Sequence, residues 1–312
     1  MAKLIGVDIG YSTVRVVSSL NPGDYKSESA VIAISVSDGS AVACGDEAIA
    51  LSERVPGSVT LVKPFSGEMT PEPQYITAYF SYIVKRMKLK GASLALSISG
   101  SHDEETEGIY VNAIQKAGIG RVAVIDPVYA SACGCKVKGA RNSAIVNIGA
   151  SVTDMGCFEK GEQTEAKSNV FAGNAFDRAI ISKVLADHKC RPSLEEAEKI
   201  KLELLSLSGD SDKTLSVTAI RPGLGLPKKV ELTSKDVFSA CEGVFESLTD
   251  EISDMIRDRK IEPDKVILTG GGAKINGLVG ALTPHLLIPV EIAEEPELSV
   301  IRGLEGLLSR IK

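Results

Sequence analysis

The chain has 312 residues, 44% of them hydrophobic, and a formal charge of −6; this length supports two domains with separate cores. Trp is absent, aromatic residues make up 4% and no dense basic cluster occurs, which argues against a base-stacking nucleic-acid platform. No run reaches about 18 uninterrupted apolar residues, so no membrane span is expected, and the six cysteines (Cys44, Cys133, Cys135, Cys157, Cys190, Cys241) show neither a CxxC pair nor zinc spacing, which predicts reduced thiols in a cytoplasmic protein.

Strands are expected at residues 4–8 and 14–19, forming a hairpin around a Gly/Ser turn. The chain enters the first strand at once, which predicts neither a signal peptide nor an amphipathic anchor. Residues 29–73 are rich in small polar and β-branched types and are punctuated by Pro56-Gly57, Pro64, Pro71 and Pro73, so they read as a small inserted subdomain. Residues 75–88 have helical periodicity, with Ile76, Tyr79, Phe80, Ile83, Val84 and Met87 on one face. The basic run 85–90 closes that helix, where cations suit the dipole. A buried strand at 94–98, a helix at 104–117 capped by Gly118, a strand at 121–125 and a short helix at 129–135 follow. This alternation implies a mixed or parallel sheet with helices packed on it.

The pattern restarts at 144–148 with a hairpin over 152–159 and a helix from 174 to about 188. Ser193 followed by Glu196 is a capping box opening a helix at 193–207. Residues 214–220 and 229–232 read as a β-ribbon, 234–258 as a long amphipathic helix, and 266–268 as a strand leading into Gly270-Gly271-Gly272. Helices around 276–282 and 298–311 complete the reading. The chain is therefore an internal duplication, with domains expected at 1–142 (insertion 29–73) and 143–312 (insertion about 189–233).

The repeated unit carries the chemistry. Val7-Asp8-Ile9-Gly10-Tyr11-Ser12 returns as Val146-Asn147-Ile148-Gly149-Ala150-Ser151. Glycine in such a turn lets backbone N–H groups approach an anion with no Cβ in the way, and Ser12, Thr13 and Ser151 add hydroxyls. Two such hairpins set facing would hold a phosphate chain. A carboxylate at Asp8 beside phosphates needs a cation, and hydrated Mg²⁺ fits that role. Thr269-Gly270-Gly271-Gly272-Ala273-Lys274 follows a strand and precedes a helix, so a ligand can lie against its backbone. Neither GxxxxGK[ST] nor a strand-borne GxGxxG occurs, which excludes a P-loop and a Rossmann dinucleotide site.

These blocks together resemble the actin-like ATPase superfamily, which also contains heat-shock chaperone ATPases and sugar kinases, and most nearly the bacterial actins of the MreB and MamK type. Residues 7–12 resemble the first phosphate loop, Ile125-Asp126-Pro127 the first connecting segment, and residues 147–154 the second phosphate loop. Ala172-Gly173-Asn174 and Ala197-Glu198-Lys199-Ile200-Lys201 resemble the helices that hold phosphate, ribose and base, and residues 268–273 the adenosine loop. The resemblance implies an α/β fold of two duplicated, RNase H-like domains, each a mixed sheet with flanking helices and a small insertion, with a nucleotide cleft between them. It implies ATP or ADP with Mg²⁺, Asp8 organising the metal through water, and Gly10, Tyr11, Ser12, Thr13, Gly149, Ala150 and Ser151 around the phosphates. Gly173 and Asn174 would approach the phosphates, Glu198 and Lys201 the ribose or base, and Gly271, Gly272 and Ala273 the adenosine. Asp126 would orient the attacking water, one methylene shorter than the Glu usual in the family.

Asn147 departs from the family's Asp. An amide keeps the shape but accepts no proton at neutral pH, and general-base assistance is worth about 10²–10⁴-fold, so binding with slow hydrolysis is expected. Asp154 on the returning strand would compensate in part. The resemblance implies head-to-tail self-association into cytoplasmic filaments that position other cell components, with no intrinsic membrane anchor evident. Two alternatives stand beside it: a non-polymerising, PilM-like nucleotide-binding adaptor, and a small-molecule kinase.

Overall fold

The computed structural model describes residues 3–65, 71–100, 102–135, 142–257 and 262–310. The expected ends of two helices, Asp258 and Ile311, lie outside the described residues. The chain divides into two compact units, Met1–Lys138 with Glu297–Lys312, and Gly139–Pro296.

The first unit is built on β1 (Leu4–Ile9), β2 (Thr13–Ser18), β3 (Asn21–Ser29), β7 (Ser93–Ile98) and β8 (Arg121–Val124), in the order β3-β2-β1-β7-β8. β1 runs antiparallel to β2 and parallel to β7, and β7 runs parallel to β8. Alternation along β1 decides what each face meets. Ile5, Val7 and Ile9 join a core with Ile76, Tyr79, Phe80 and Ile83 of α2 (Pro73–Met87) and Tyr110 and Ile114 of α3 (Glu104–Lys116). α2 forms because its apolar residues recur every three or four positions, Pro73 suits the first turn, and Lys88 ends it in the left-handed region at φ 54°. On the opposite face, Gly6 has no room for a side chain: an added Cβ would sit 3.1 Å from the Cβ of Leu304. Val17, Ala95, Ala130, Ile301 and Leu304 form a second cluster there with α4 (Pro127–Gly134) and α9 (Ser299–Leu307).

Between β3 and α2 lies the insertion: β4 (Ile32–Ser35), β5 (Ala41–Cys44), α1 (Asp46–Arg54) and β6 (Val59–Val62). Its strands form an antiparallel sheet ordered β5-β4-β6.

The second unit repeats the plan. β9 (Asn142–Ile148), β10 (Thr153–Glu159), β11 (Glu162–Asn169), β14 (Val266–Thr269) and β15 (Val290–Ile292) are ordered β11-β10-β9-β14-β15. The same sequence of antiparallel, antiparallel, parallel and parallel pairings results. Its core joins Val146, Ile148 and Met155 to Phe176 and Ile180 of α5 (Gly173–His188), Leu248 and Ile252 of α7 (Ser234–Arg257), and Leu282 of α8 (Leu278–Leu286). α6 (Leu194–Leu204) and the ribbon β12 (Thr214–Ile220)–β13 (Pro227–Thr233) form its insertion. The Ser193 Oγ accepts from the Glu196 N–H at 3.1 Å, the capping contact read from the sequence. Among the described residues, no helix is long and apolar enough to cross a membrane.

Several features differ from the sequence reading, among them the strand β15 and the helix α1, which were not expected. β3 and β11 were not expected, because both are edge strands whose residues (Asn21-Pro22-Gly23-Asp24 and Glu162-Gln163-Thr164-Glu165) carry the polarity that keeps a sheet edge from pairing onward. The last helix, α9, belongs to the first unit rather than to the second half of the chain. It packs on α4 at backbone contact: a Cβ on Gly134 would overlap the Ser299 carbonyl oxygen, and one on Gly303 would overlap that of Ala130.

Candidate functional site

In each unit the sequence-predicted residues collect where parallel strands end, the edge at which open α/β sheets bind ligands. In the first unit these are the ends of β1, β7 and β8. The turn after β1 is closed by the Gly10 N–H donating to the Thr13 carbonyl at 3.1 Å. The equivalent turn after β9 is closed by Gly149 N–H to the Val152 carbonyl at 3.0 Å. Side-chain room is short at both: an added Cβ would lie 3.0 Å from the Thr13 oxygen and 2.7 Å from the Val152 oxygen.

Asp8 is 6% exposed. It lies directly across the hairpin from Arg15, whose guanidinium approaches its carboxylate to 3.6 Å. Burial pushes the Asp8 carboxyl up to about 6, against the opposing pull of Arg15. The corresponding pair in the second hairpin is Asn147 and Asp154. Asn147 Oδ1 accepts from the Thr269 hydroxyl at 3.2 Å, and buried Asp154 accepts from the Ser168 hydroxyl at 2.6 Å. The pairing of Arg15 with Asp8 was missed in the sequence; the signal was its place seven residues after Asp8, the spacing of Asp154 after Asn147.

The loop 149–151 is braced by the start of α5. Gly173 N–H donates to the Gly149 carbonyl at 3.1 Å and Asn174 N–H to the Ala150 carbonyl at 2.6 Å. These two donors hold the loop, and a Cβ on Gly173 would meet the Ala150 backbone at 3.4 Å. Ser151 is buried and Ala150 half-buried. Lys201 is buried too, its ammonium donating to Asp177 at 2.9 Å and to the Gly173 carbonyl at 3.1 Å. It ties α6 to α5 and does not present its charge to solvent, whereas Glu198, one turn earlier, is exposed. Burial pushes the Asp177 carboxyl up and Lys201 pulls it back.

After β14, Gly270 adopts φ 79° and Gly271–Lys274 form a 3-10 turn. Gly272 has a packing reason, since a Cβ there would overlap the Ile148 side chain. Gly271 faces open space and Ala273 is buried. Asp126 is exposed and caps α4, its Oδ1 accepting from the Tyr129 N–H at 2.8 Å. Asp suits a cap better than Glu does, which gives the shorter acid a structural reason of its own. Tyr11 was expected among the phosphate contacts; its ring carries the Lys63 ammonium 5.4 Å from the centroid.

The whole chain has relatives. It is 25% identical to the cell shape-determining protein Mbl of Bacillus subtilis (strain 168) over 99% of this chain and 97% of that protein. It is 26% identical to the cell shape-determining protein MreB of Escherichia coli (strain K12), over 96% and 91%. Its fold superposes on MreB5 of Spiroplasma citri bound to ADP with a TM-score of 0.89 at 20% identity, covering 100% of this chain and 97% of that one. A MamK double helical filament gives 0.82 at 18% identity, with 98% of each chain covered. The sequence model of the MreB/Mbl protein family matches residues 2–312, and the chain belongs to that family of bacterial actin-like proteins.

Proposed function

We propose that this protein binds ATP or ADP with Mg²⁺, assembles head to tail into cytoplasmic filaments, and hydrolyses ATP slowly. The observation that carries the reading is the duplicated glycine turn. Each copy ends the central strand of a matching five-stranded sheet and is closed by the same hydrogen bond, at 3.1 and 3.0 Å. In this reading Gly10–Thr13 and Gly149–Ser151 are the phosphate loops. The solved relatives support the ligand and the assembly, MreB5 having been captured with ADP and with AMPPNP and MamK as a double helical filament.

The residues fit Mg²⁺ held through water. Among the described residues no group of three or more His, Cys, Asp and Glu could cage a metal ion. A single buried carboxylate, Asp8, stands at the end of β1. That set suits an ion that keeps most of its waters and takes the rest of its ligands from phosphate. When bound, Mg²⁺ offsets phosphate charge; the chain's own part is to keep Asp8 ionised and oriented, and Arg15 does so by lowering the cost of its buried charge. Asn174 remains a candidate for the phosphates, Glu198 for the ribose or base, and Gly271 and Ala273 for the adenosine. Asp126 is the candidate for orienting water, and Asn147 offers it an acceptor but no base.

The test is sedimentation and electron microscopy of the purified protein with ATP and Mg²⁺. Nucleotide-dependent filaments with slow phosphate release support the proposal. Soluble monomer carrying nucleotide overturns the filament reading, and phosphate transfer to an added small molecule overturns both it and the slow-hydrolysis reading.

A further inference from the structure

We propose that Ser97 is a positioning residue for Asp8: its buried hydroxyl donates to the Asp8 carboxylate when nucleotide with Mg²⁺ is bound, and fixes which way that carboxylate faces. The inference rests on the nucleotide reading above and adds a residue that lies in none of its loops.

Three observations carry it. Asp8 is in register with Arg15 on β2 and with Ser97 on β7. Alternation puts these three side chains on one face, because their neighbours Val7, Ile9, Val14, Val16, Leu96 and Ile98 belong to the core on the other. Arg15, Asp8 and Ser97 thus form one polar row across three strands, with Ser97 on the flank of Asp8 away from Arg15. Next, the rest of that face is apolar: Val17, Ala95, Ala130, Ile301 and Leu304 cluster there. Packing on β7 is served by a methyl group, as at Ala95, two residues before Ser97. Finally, Ser97 is 0% exposed and its Oγ has no hydrogen-bond partner among the described residues. Packing and hydrogen bonding alike disfavour a hydroxyl at this position unless it acquires a partner.

The partner within reach is Asp8. Adjacent strands lie about 4.8 Å apart, and rotation of Ser97 among its staggered χ1 wells carries the hydroxyl along the row. Arg15 approaches Asp8 to 3.6 Å, a separation for charge attraction but too long for a good hydrogen bond. It steadies the charge without fixing the plane of the carboxyl group. A hydroxyl on the opposite flank fixes that plane, and a hydrogen bond to a charged acceptor is of the stronger kind. With one oxygen held by Ser97, the other is left to the waters of the ion.

The experiment is isothermal titration with AMPPNP, in Mg²⁺ and in EDTA, of the unaltered protein, Ser97→Ala, Ser97→Cys, and Asp8→Ala with and without Ser97→Ala. In Mg²⁺, Ser97→Ala is expected to lose about tenfold or more in affinity, the worth of a hydrogen bond to a charged group, and in EDTA less than about threefold. Ser97→Cys fills the same site but offers only a weak donor, so it should lose affinity as Ser97→Ala does. On the Asp8→Ala background, Ser97→Ala should change nothing further. Without nucleotide, the urea midpoint of Ser97→Ala should equal or exceed that of the unaltered protein, because no hydrogen bond is removed. Equal losses in Mg²⁺ and in EDTA, affinity retained by Ser97→Ala or Ser97→Cys, an undiminished effect without Asp8, or a lowered midpoint each overturn the assignment and leave the nucleotide reading intact. Failure of the unaltered protein to bind AMPPNP, or to bind it more tightly in Mg²⁺ than in EDTA, overturns the nucleotide or the Mg²⁺ reading and this inference with it.

Discussion

Restoring the family carboxylate by Asn147→Asp should trade stability for speed. Position 147 is 6% exposed and faces Asp154 directly across β9 and β10. Directly opposed residues on an antiparallel pair hold their Cβ atoms about 4.5–5.5 Å apart. Two carboxylates about 5 Å apart at an effective dielectric near 20 repel by about 3 kcal/mol. The Thr269 hydroxyl, which donates to Asn147 Oδ1, remains available to the new carboxylate and offsets part of this. The apo variant should therefore lose up to about 3 kcal/mol in urea unfolding at pH 7.5, and the loss should shrink at pH 4, where carboxylates protonate. Nucleotide with Mg²⁺ should also shrink it. Single-turnover phosphate release should rise at least about tenfold, toward the 10²–10⁴ range of general-base assistance. Asn147→Asp/Asp154→Asn carries its charge at the strand end only; it should regain the stability and keep the rate. Unaltered turnover in a folded Asn147→Asp protein would refute the reasoning, as would a double variant no faster than the parent.

Three further outcomes follow from named contacts. Burial places Asp8 at about 6, above its ordinary 3.8, so its ionisation costs folding stability progressively as pH rises between those values, reaching about 3 kcal/mol above the upper one. Asp8→Asn should then be more stable than the parent in urea at pH 7.5 and equal to it at pH 3.5, while Mg²⁺-dependent nucleotide affinity is lost; a less stable variant at pH 7.5 contradicts this. Gly303→Ala forces a methyl onto the Ala130 carbonyl and should cost about 3 kcal/mol or more, the upper range for overpacking. Gly306→Ala, where nothing lies within 4 Å, should gain about 0.5–1 kcal/mol from helix propensity; similar melting curves for the two would contradict the α4–α9 contact. Lys201→Met breaks a buried ion pair and should cost about 3–5 kcal/mol by chemical unfolding, with Asp177→Leu in the same chain recovering most of it.

What the sequence made legible was what the backbone imposes. Glycine at positions 10 and 149 leaves a mark because a side chain would crowd the turn's own carbonyl oxygen, and the strand–turn–strand repeat shows the duplication. The amphipathic α2 and the Ser193 cap were legible for the same local reason. Edge strands β3 and β11 were not, because a strand protected from further pairing is polar and resembles a loop. The place of α9 was not, because helices chosen for backbone contact carry small residues, which say that something is close but not what. Pairings across a hairpin depend on register. Arg15 beside Asp8 became visible once the antiparallel pairs were in place, whereas Asp154 on the strand returning from Asn147 was legible already, and Lys201, three residues from Glu198, turned inward to an acid 24 positions earlier.

The duplication makes each hairpin a control for the other. At the turn the backbone dictates the chemistry, and Gly10 and Gly149 agree. At the paired positions before and after the turn the backbone dictates nothing, and the halves diverge. The first carries Asp8 with Arg15, the second Asn147 with Asp154. Each pair thus holds one carboxyl group, but on opposite strands. In the first it sits at the end of the central strand, steadied by a guanidinium at 3.6 Å. In the second it sits on the returning strand, where it accepts from Ser168, and the strand end carries an amide of the same shape. An amide at that end still accepts a hydrogen bond from water or ligand, so recognition of a polar ligand survives. Removing a proton does not, because that requires a carboxylate at the strand end itself. On the nucleotide proposal, an amide at 147 with the carboxylate held at 154 by Ser168 predicts slow turnover, and a fast single-turnover phosphate release by the unaltered protein would refute it.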